Sequence, residues 1–522
     1  MINSKRKNIL LFLSLLLLGL GLRLYHIEFG LPHSFYADEP EFSELAIKYT
    51  YEIKDIVRNN DYYKLIPISY VYGTFPTYLL TVLVMGFSKI NNLFNLPFDK
   101  TSLFIFQRVI TAFISLLVVV ATGYIYKVRF STARGIKFSE NRGLFIAVLL
   151  AALNWKLIAH AHYVNADIFI TLLICLSIGF LLQYHKTTGS KYLILSAVFF
   201  GLAVGTKVTA LMTLPFHLWL IADRKDLKGF LAYCFIILGT FAITNPFSII
   251  FSGDFITRVL SLATKEAGMV FDSVDLSYTK YVAALAYIAT PFVFMISLYG
   301  MWRSSKFSGE KKLDMFLLSY VATYLLFFTL QSRRVDRWVL PVLPIILVYA
   351  AYTIDQIFAL TRSKFKPILL LVLVATLLYY VFFTGTLLSQ FRRDTPKSEA
   401  YLWAKANLPE LSTKLAYTEE GLDPLNKLPF ATVIKFKVYA SENAQFFTPE
   451  NPELYDYVII SSRPMENYKR EEVKTKYPFY YKKWAAFEEV LMDPTKFELI
   501  KDFTLNKPNL IPLSDVYIYK NL

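Results

Sequence analysis

The chain has 522 residues, of which 55% are hydrophobic and only 18% charged, with a mean hydropathy of +0.42. Soluble domains are about one quarter charged, so this composition excludes a purely soluble protein and indicates that apolar residues face lipid. The net charge is +15, but the lysines and arginines are spread over short loops between apolar runs, which is typical of cytoplasmic loops rather than of a nucleic-acid interface. We therefore predict no nucleic-acid partner, and two cysteines inside apolar runs argue against a disulfide framework.

The apolar runs predict a mostly α polytopic membrane protein with about eleven transmembrane helices. We expect these helices at about 9–27, 102–126, 144–160, 168–184, 191–206, 208–222, 229–246, 280–302, 313–331, 338–358 and 367–387. The first run follows Lys5-Arg6-Lys7 and lacks a small-x-small cleavage pattern, so we expect an uncleaved helix with a cytoplasmic N-terminus. The predicted location is the cell (plasma) membrane, with membrane lipids as a partner.

Basic clusters fix the predicted topology. They lie at 127–142, 185–191, 224–228, 303–312 and 362–366, and placing all five in the cytoplasm gives a consistent alternation from residue 102 onward. The apolar segment 74–94 does not fit as a simple crossing, because every later basic loop would then lie outside. We predict a juxtamembrane helix on the membrane surface there, and a segment that dips in and returns is the alternative.

This topology predicts two domains. Residues 1–390 form a transmembrane domain that includes the external loop 28–101 and the juxtamembrane helix 74–94. Residues 391–522 form a small extracytoplasmic α/β domain, with expected strands at 414–418, 432–439, 457–461 and 516–519 and a helix at 397–407. Aromatic residues at 477–484 in this domain are predicted to pack its core, with stacking on a sugar as the alternative.

Asp38 and Glu39 follow the first predicted span closely, so they should lie near the outer membrane surface. A carboxylate in that place could act as a general base on an acceptor hydroxyl. The alternative is an ordinary helix start, with Asp38 as N-cap, Glu39 and Glu41 in the first turn and Pro40 early in the helix.

Cations at the outer ends of predicted spans are candidate anion-binding residues. Arg108 could meet a lipid-linked phosphate near the headgroups, or it could be a snorkelling arginine. Lys207, between two apolar runs, needs water, a partner or an anion unless it is the centre of a tight outer turn. Three arginines, Arg333, Arg334 and Arg337, lie on one short outer loop against the positive-inside tendency, which favours phosphate binding; the alternative is pairing with the nearby Asp336.

The outer link at 160–167 contains two histidines and an aspartate, His160, His162 and Asp167. Metal binding is one interpretation, but the spacing is loose, and a polar lining of an outward-facing cavity is the favoured one. For Asp167, which opens the next helix, an N-cap role is the alternative.

Taken together, several segments resemble the C-type glycosyltransferases, specifically glycosyltransferase family 39, the superfamily of protein O-mannosyltransferases and lipid A aminoarabinose transferases. The segments are Asp38-Glu39, Tyr72-Gly-Thr-Phe-Pro-Thr-Tyr78, Arg108-Val-Ile-Thr-Ala112, His162-Tyr-Val-Asn-Ala-Asp167, Gly201-Leu-Ala-Val-Gly-Thr-Lys207, Asn245-Pro-Phe247 and Arg337-Trp-Val-Leu-Pro-Val-Leu-Pro344. The resemblance covers about residues 9–390. Related enzymes often carry Lys-Pro-Pro or His-Pro-Pro where this chain has Thr74-Phe75-Pro76.

The resemblance implies the C-type glycosyltransferase fold and an inverting sugar transfer from a polyprenyl-phosphate donor to a protein, lipid or glycan acceptor on the outer face of the membrane. It implies Asp38 as the catalytic base, with Glu39 orienting it or binding the acceptor. The expected phosphate-binding residues are Arg108, Lys207, Arg333, Arg334 and Arg337, and the expected cavity lining is Tyr36, Tyr72, His162 and Asp167. No cofactor is required by the pattern, and participation of a divalent cation is left open.

Three other functional classes share parts of this pattern. A transporter or flippase for polyprenyl-linked glycans would also have many spans, but inverted repeats and interrupted helices at mid-membrane are not evident in the sequence. An outer-face polymerase or ligase could use a similar cavity, and a receptor or adhesin could use the C-terminal domain. The gathering of polar residues at the outer face favours the glycosyltransferase.

Overall fold

The computed structural model of the chain describes most of its length. The described residues are 4–32, 36, 38–67, 70, 72–93, 99–130, 140–266, 269–271, 280–307, 309–331, 333, 335–359, 366–418, 420–439, 451–505, 509–511 and 513–522. Within them the chain is mostly helical, with one small sheet near the C-terminus.

Eighteen of the described helices precede the sheet. They are α1 (Ser4–Leu24), α2 (Glu39–Arg58), α3 (Phe75–Leu93), α4 (Lys100–Phe130), α5 (Glu140–Ala152), α6 (Trp155–Ala159), α7 (Ala166–Thr187), α8 (Ser190–Val204), α9 (Leu214–Ala222), α10 (Leu227–Thr244), α11 (Pro246–Ile250), α12 (Ser252–Ser261), α13 (Lys280–Ala289), α14 (Pro291–Phe307), α15 (Lys311–Thr329), α16 (Leu343–Ala359), α17 (Lys366–Phe391) and α18 (Pro396–Asn407). Tighter turns precede two of them, at Val208–Thr213 before α9 and Asp336–Val342 before α16.

Seven described helices are long and apolar enough to cross a membrane, and an eighth is added if the bent pair α13–α14 counts as one span. Three shorter apolar helices occupy the predicted spans at 144–160, 191–206 and 208–222. Outward-facing leucine, valine and isoleucine on α1, α10 and α17 supply the apolar surface that lipid would cover. The chain is thus a polytopic membrane protein, and the count of eleven spans stays a prediction.

Two predicted continuous helices are broken, and each break has a local cause. The span expected at 280–302 bends by 105° between α13 and α14, because Pro291 cannot donate the next helical hydrogen bond. The span expected at 144–160 ends at Ala152, and the Asn154 side chain accepts hydrogen bonds from the amides of Lys156 and Leu157 to start α6.

The basic clusters predicted to share one face meet at one end of the helix bundle. Arg129, at the end of α4, donates to Asp314 of α15 from Nε at 2.9 Å and from Nη2 at 2.6 Å, and both side chains are fully buried. Neighbouring ion pairs at the same end are Arg129–Glu310, Lys186–Glu310, Arg142–Asp355 and Lys312–Asp223. These contacts join residues of three of the five clusters and reach Asp223, which directly precedes a fourth. They tie α4 and α7 to α15, and α5 to α16.

Removing one partner of the buried pair should destabilise the bundle strongly. We expect Asp314→Ala to lower the free energy of unfolding by about 3–5 kcal/mol, because it leaves the Arg129 charge buried without its main partner. The measurement is thermal unfolding of the purified protein in detergent. Lys312→Ala removes an exposed ion pair at the same end and should change stability by less than about 1 kcal/mol; equal losses in both variants would contradict this account.

The C-terminal part folds around a five-stranded mixed sheet of order β2-β1-β3-β5-β4. The strands are β1 (Lys414–Tyr417), β2 (Thr432–Lys435), β3 (Tyr457–Ser461), β4 (Phe497–Phe503) and β5 (Val516–Asn521), and the helices α19 (Ser462–Tyr468), α20 (Glu471–Lys476) and α21 (Pro478–Leu491) lie between β3 and β4. β1 is parallel to β2 and β3, and the other two pairings are antiparallel. Strand β4 and these three helices were not predicted. Trp484 is fully buried and stacks on Tyr468, and Tyr477 is buried in the same core, so these two aromatic side chains pack the core as expected. The sugar-stacking alternative is wrong for Trp484, whereas Phe479 of the same segment is exposed.

The C-terminal domain contacts the helical part at several points. Phe271, from the loop before α13, packs edge-on against Tyr439 and Tyr468, and Arg470 donates to the carbonyl oxygen of Val270 at 2.9 Å. At the end of α17, Gln390 accepts a hydrogen bond from the amide of Leu510. The domain therefore lies at the end of the bundle that carries this loop, away from the basic clusters.

Candidate active site

Three of the motifs noted in the sequence meet in one backbone junction. The amide of Gly73 donates to the carbonyl oxygen of Thr206 at 3.0 Å, and the amide of Phe75 donates to that of Gly205 at 3.3 Å. The Asn245 side chain accepts from the amide of Thr74 at 2.7 Å. The junction fixes Tyr72, immediately before Gly73, close to Lys207: the lysine Nζ lies 5.9 Å from the centre of the tyrosine ring.

Only glycine fits at the centre of this junction. A Cβ on Gly73 would lie 1.9 Å from the carbonyl oxygen of Gly205, so Gly73→Ala must push the two backbone segments apart. A displacement of about 1 Å at a catalytic group can lower a rate by roughly a hundredfold, and we expect a loss of that order in any activity that depends on the position of Tyr72. Gly86→Ala in α3 is the matched control, because a Cβ there meets nothing within 4 Å. Full activity of Gly73→Ala would contradict the positioning role.

Asp38 occupies the N-cap position of α2 but does not cap it. Its side chain makes no hydrogen bond to the helix amides. Instead Oδ2 accepts from Arg337 Nη2 at 2.7 Å and from the Tyr72 hydroxyl at 3.0 Å, and the carboxylate is one quarter exposed. Asp38 thus stands at the helix start, as the alternative expected, but its carboxylate does not cap the helix. Among the described residues, Oδ1 has no hydrogen-bond donor.

Arg337 joins Asp38 to a second ion pair. Its Nε lies 3.1 Å from Asp167 Oδ2, although the N–H is not aimed well enough to count as a hydrogen bond. Asp167 Oδ1 accepts from Lys207 Nζ at 2.8 Å. The N-cap of α7 is Asn165, whose side chain accepts from the amide of Ile168, so the capping alternative for Asp167 is wrong. We refer to Asp38, Tyr72, Asp167, Lys207 and Arg337 as the charged cluster.

Aromatic rings enclose the charged cluster. The Arg337 guanidinium lies 5.1 Å from the centre of the Tyr36 ring, which stacks on Tyr163 at 3.9 Å, and Lys207 Nζ lies 5.8 Å from the Trp338 ring. Such ring faces stabilise the two cations. Burial, together with the nearby Asp38 carboxylate, raises the pKa of the Tyr72 phenol well above its usual value, so Tyr72 remains a hydrogen-bond donor at neutral pH.

Arg108 and Glu39 form a separate, fully buried pair. Arg108 donates to the two carboxylate oxygens of Glu39 at 2.8 and 2.7 Å, and its Nη1 donates to the carbonyl oxygens of Ile27 and Phe29. Glu39 Oε1 also lies 3.2 Å from the amide of Val164, which donates to it. The structure therefore places Arg108 inside the protein, where it ties α4 to the loop before α2, and not in the charged cluster.

The remaining predicted residues lie elsewhere. Asp336 accepts from Lys156 at 2.6 Å, so it does not pair with the arginine next to it in sequence. Arg333 is partly buried, and no described contact links it to the charged cluster; Arg334 lies outside the described residues. Both ring nitrogens of His162 face backbone carbonyl oxygens, and its ring stacks on Phe391 at 3.8 Å, so His162 packs the structure away from the cluster.

Two further results bear on what the site can bind. Within the described ranges, no group of three His, Cys, Asp or Glu side chains is arranged to hold a metal ion. A cavity of about 520 Å³ adjoins the charged cluster and shares Tyr72 with it; the other lining residues come from α2, α3 and the segment between them, among them Glu41, Lys48, Tyr49, Thr74 and Tyr78.

Comparison with known proteins identifies the fold. A model of the dolichyl-phosphate-mannose-protein mannosyltransferase family matches residues 101–250. ArnT from Cupriavidus metallidurans, in a structure bound to undecaprenyl phosphate, is 14% identical with a TM-score of 0.51, and the match covers 98% of this chain and 97% of ArnT. The apo structure of ArnT gives 12% identity, 99% and 98% coverage and the same TM-score.

The oligosaccharyltransferase of Archaeoglobus fulgidus, tethered with an acceptor peptide, is 13% identical with a TM-score of 0.51, and the match covers 92% of this chain and 71% of that one. No curated protein sequence matches the chain. Identities this low show a shared fold. With the family-model match, they confirm the predicted resemblance to the C-type glycosyltransferase superfamily and its fold.

Proposed function

We propose that this chain, which has the fold of the C-type glycosyltransferases, transfers a sugar from a polyprenyl-phosphate carrier to an acceptor hydroxyl on the non-cytoplasmic side of the membrane. The observation that supports this most is the 2.7 Å contact between Asp38 and Arg337. Lys207 is linked to Arg337 through the carboxylate of Asp167. A base and two cations with partial access to solvent are the groups that such a transfer needs.

The two ends of α4 support the proposed side of the membrane. Arg108 lies near the charged cluster and Arg129 lies among the basic clusters, roughly 30 Å away along the helix axis, which is about one bilayer core. Basic loops favour the cytoplasm, so the charged cluster and the C-terminal domain belong on the other side and the N-terminus belongs inside.

The donor proposal rests on the chemistry of the cations. Arginine and lysine side chains commonly bind phosphate. Here Lys207 follows the end of α8 and Arg337 precedes the start of α16, so both cations lie at ends of apolar helices, where the headgroup of a lipid carrier would lie. The ArnT structure of the same fold is bound to undecaprenyl phosphate, and the matching family model is described by dolichyl-phosphate-mannose. Arg333 and Arg334 remain further candidates for this role, and a divalent cation is not assigned.

In the proposed mechanism, Asp38 Oδ1 takes the proton from the acceptor hydroxyl as that oxygen attacks the anomeric carbon. The carrier phosphate leaves on the opposite side, so the configuration inverts. Arg337 and Lys207 stabilise its growing charge, and the Tyr72 hydroxyl orients the carboxylate through Oδ2. Glu39, buried against Arg108, supports the loop that carries Asp38 rather than contacting the acceptor.

The cavity beside Tyr72 is the proposed place for the non-reacting part of the acceptor. Its volume of about 520 Å³ is in the usual range of ligand sites, and one aromatic ring separates it from Asp38. The proposed acceptor is a protein, lipid or glycan. The oligosaccharyltransferase structure of similar fold is tethered with an acceptor peptide, which supports a protein among these.

Asp38→Asn should lower transfer by roughly a hundred- to ten-thousandfold, because the amide keeps the shape of the carboxylate but cannot take a proton. The assay supplies the purified protein with a panel of polyprenyl-phosphate sugars and acceptors and follows the products by mass spectrometry. Asp61→Asn, in an exposed ion pair of the same external loop, is the control and should retain activity.

Two results would overturn the proposal. An Asp38→Asn protein with normal activity would remove Asp38 from the base role. Consumption of nucleotide sugars, with no sugar released from any polyprenyl phosphate, would overturn the donor assignment.

A further inference from the structure

We propose that Arg337 is shared between the base and the leaving group: it holds Asp38 while that carboxylate is charged and turns to the carrier phosphate as Asp38 takes up the acceptor proton. This inference rests on the proposed function and adds to it. The same guanidinium pairs first with the charged base and then with the leaving phosphate.

The charges within the charged cluster balance. Asp38 and Asp167 carry two negative charges, Arg337 and Lys207 carry two positive ones, and each charge contacts one of opposite sign. The side chains are only 5–25% exposed, so these contacts are weakly screened. The cluster therefore has no excess positive charge waiting for a phosphate, and an arriving phosphate must compete with a carboxylate for a cation.

The geometry around Asp38 and Arg337 allows the exchange. Arg337 Nη2 and the Tyr72 hydroxyl both donate to Asp38 Oδ2, and no described contact occupies Oδ1. The open oxygen can take a proton while the other keeps Tyr72. The Nε of Arg337 lies 3.1 Å from Asp167, which Lys207 holds in turn. The Nη2 group can therefore change its partner while Nε stays beside Asp167.

The reaction balances around this exchange. The acceptor O–H bond breaks and its proton goes to Asp38 Oδ1, while the acceptor oxygen forms a bond to the anomeric carbon. The bond between that carbon and the phosphate oxygen breaks, and the electron pair stays on the phosphate. Asp38 loses one negative charge as the phosphate gains one. Arg337 is therefore released from Asp38 while the negative charge on the phosphate grows.

The test uses Asp38→Asn as an imitation of the protonated base. Undecaprenyl phosphate, the leaving group without its sugar, is titrated into the full-length protein in detergent. We expect Asp38→Asn to bind it on the order of tenfold more tightly than the unaltered protein, although transfer is lost, because the competing carboxylate is gone. Arg337→Gln should bind more weakly, and in the double variant the gain from Asp38→Asn should disappear.

Asp336→Asn is the matched control, since it removes one negative charge next to Arg337 in sequence but one that pairs with Lys156 instead. Its affinity for undecaprenyl phosphate should be unchanged. Asp38→Ser serves as a second neutral variant, and thermal unfolding shows that each protein is folded.

The outcomes distinguish failure of the exchange from failure of the proposed function. Tighter binding by folded Asp38→Asn or Asp38→Ser, lost when Arg337 is also replaced, supports the exchange. Unchanged or weaker binding by both neutral variants overturns the exchange and leaves the donor assignment intact. Absence of undecaprenyl phosphate binding in every protein, the unaltered one included, overturns the proposed donor and the exchange with it.

Discussion

The site depends on one guanidinium. Arg337 stands in the tight turn before α16 and contacts carboxylates from two distant parts of the chain, Asp38 before α2 and Asp167 at the start of α7. Without that cation the two carboxylates would repel each other. The arginine therefore assembles the cluster before any substrate arrives, and its contacts define which oxygen of Asp38 is left open.

Other contacts support this arrangement without taking part in it. The buried Arg108–Glu39 pair anchors the start of α2. Asp38, directly before Glu39, therefore directs its carboxylate towards Arg337. The close approach of Gly73 to Gly205, with Asn245 across it, sets the place of Tyr72. A carboxylate placed by a helix start, an arginine and a tyrosine has little freedom to take other orientations, as the proposed role of general base requires.

Much of the fold and part of the site could be predicted from the sequence. Apolar runs gave the helices, and charged residues at their ends gave Asp38, Asp167, Lys207 and Arg337 as candidates, which the structure brings together. What could not be predicted is which partner each charge takes. Asp38 and Glu39 are adjacent, yet successive side chains of a helix start point about 100° apart, and only one faces the cluster.

The same limit applies elsewhere in the chain. Asp336 and Arg337 diverge in the same way, so the predicted arginine–aspartate pairing within the outer loop is replaced by Lys156–Asp336. Tyr163 and Trp338 line the cluster but look like ordinary membrane-interface aromatics in sequence. Strand β4 was missed because its ladder is irregular between Leu499 and Lys501, which disturbs the expected alternation.

A structure of the full chain with undecaprenyl phosphate bound would test the role of Arg337 most sharply. We expect a phosphate oxygen about 3 Å from both Arg337 and Lys207, with the Asp38 carboxylate on the opposite side of the space for the sugar. A phosphate held by other cations, with Arg337 still on Asp38, would contradict it.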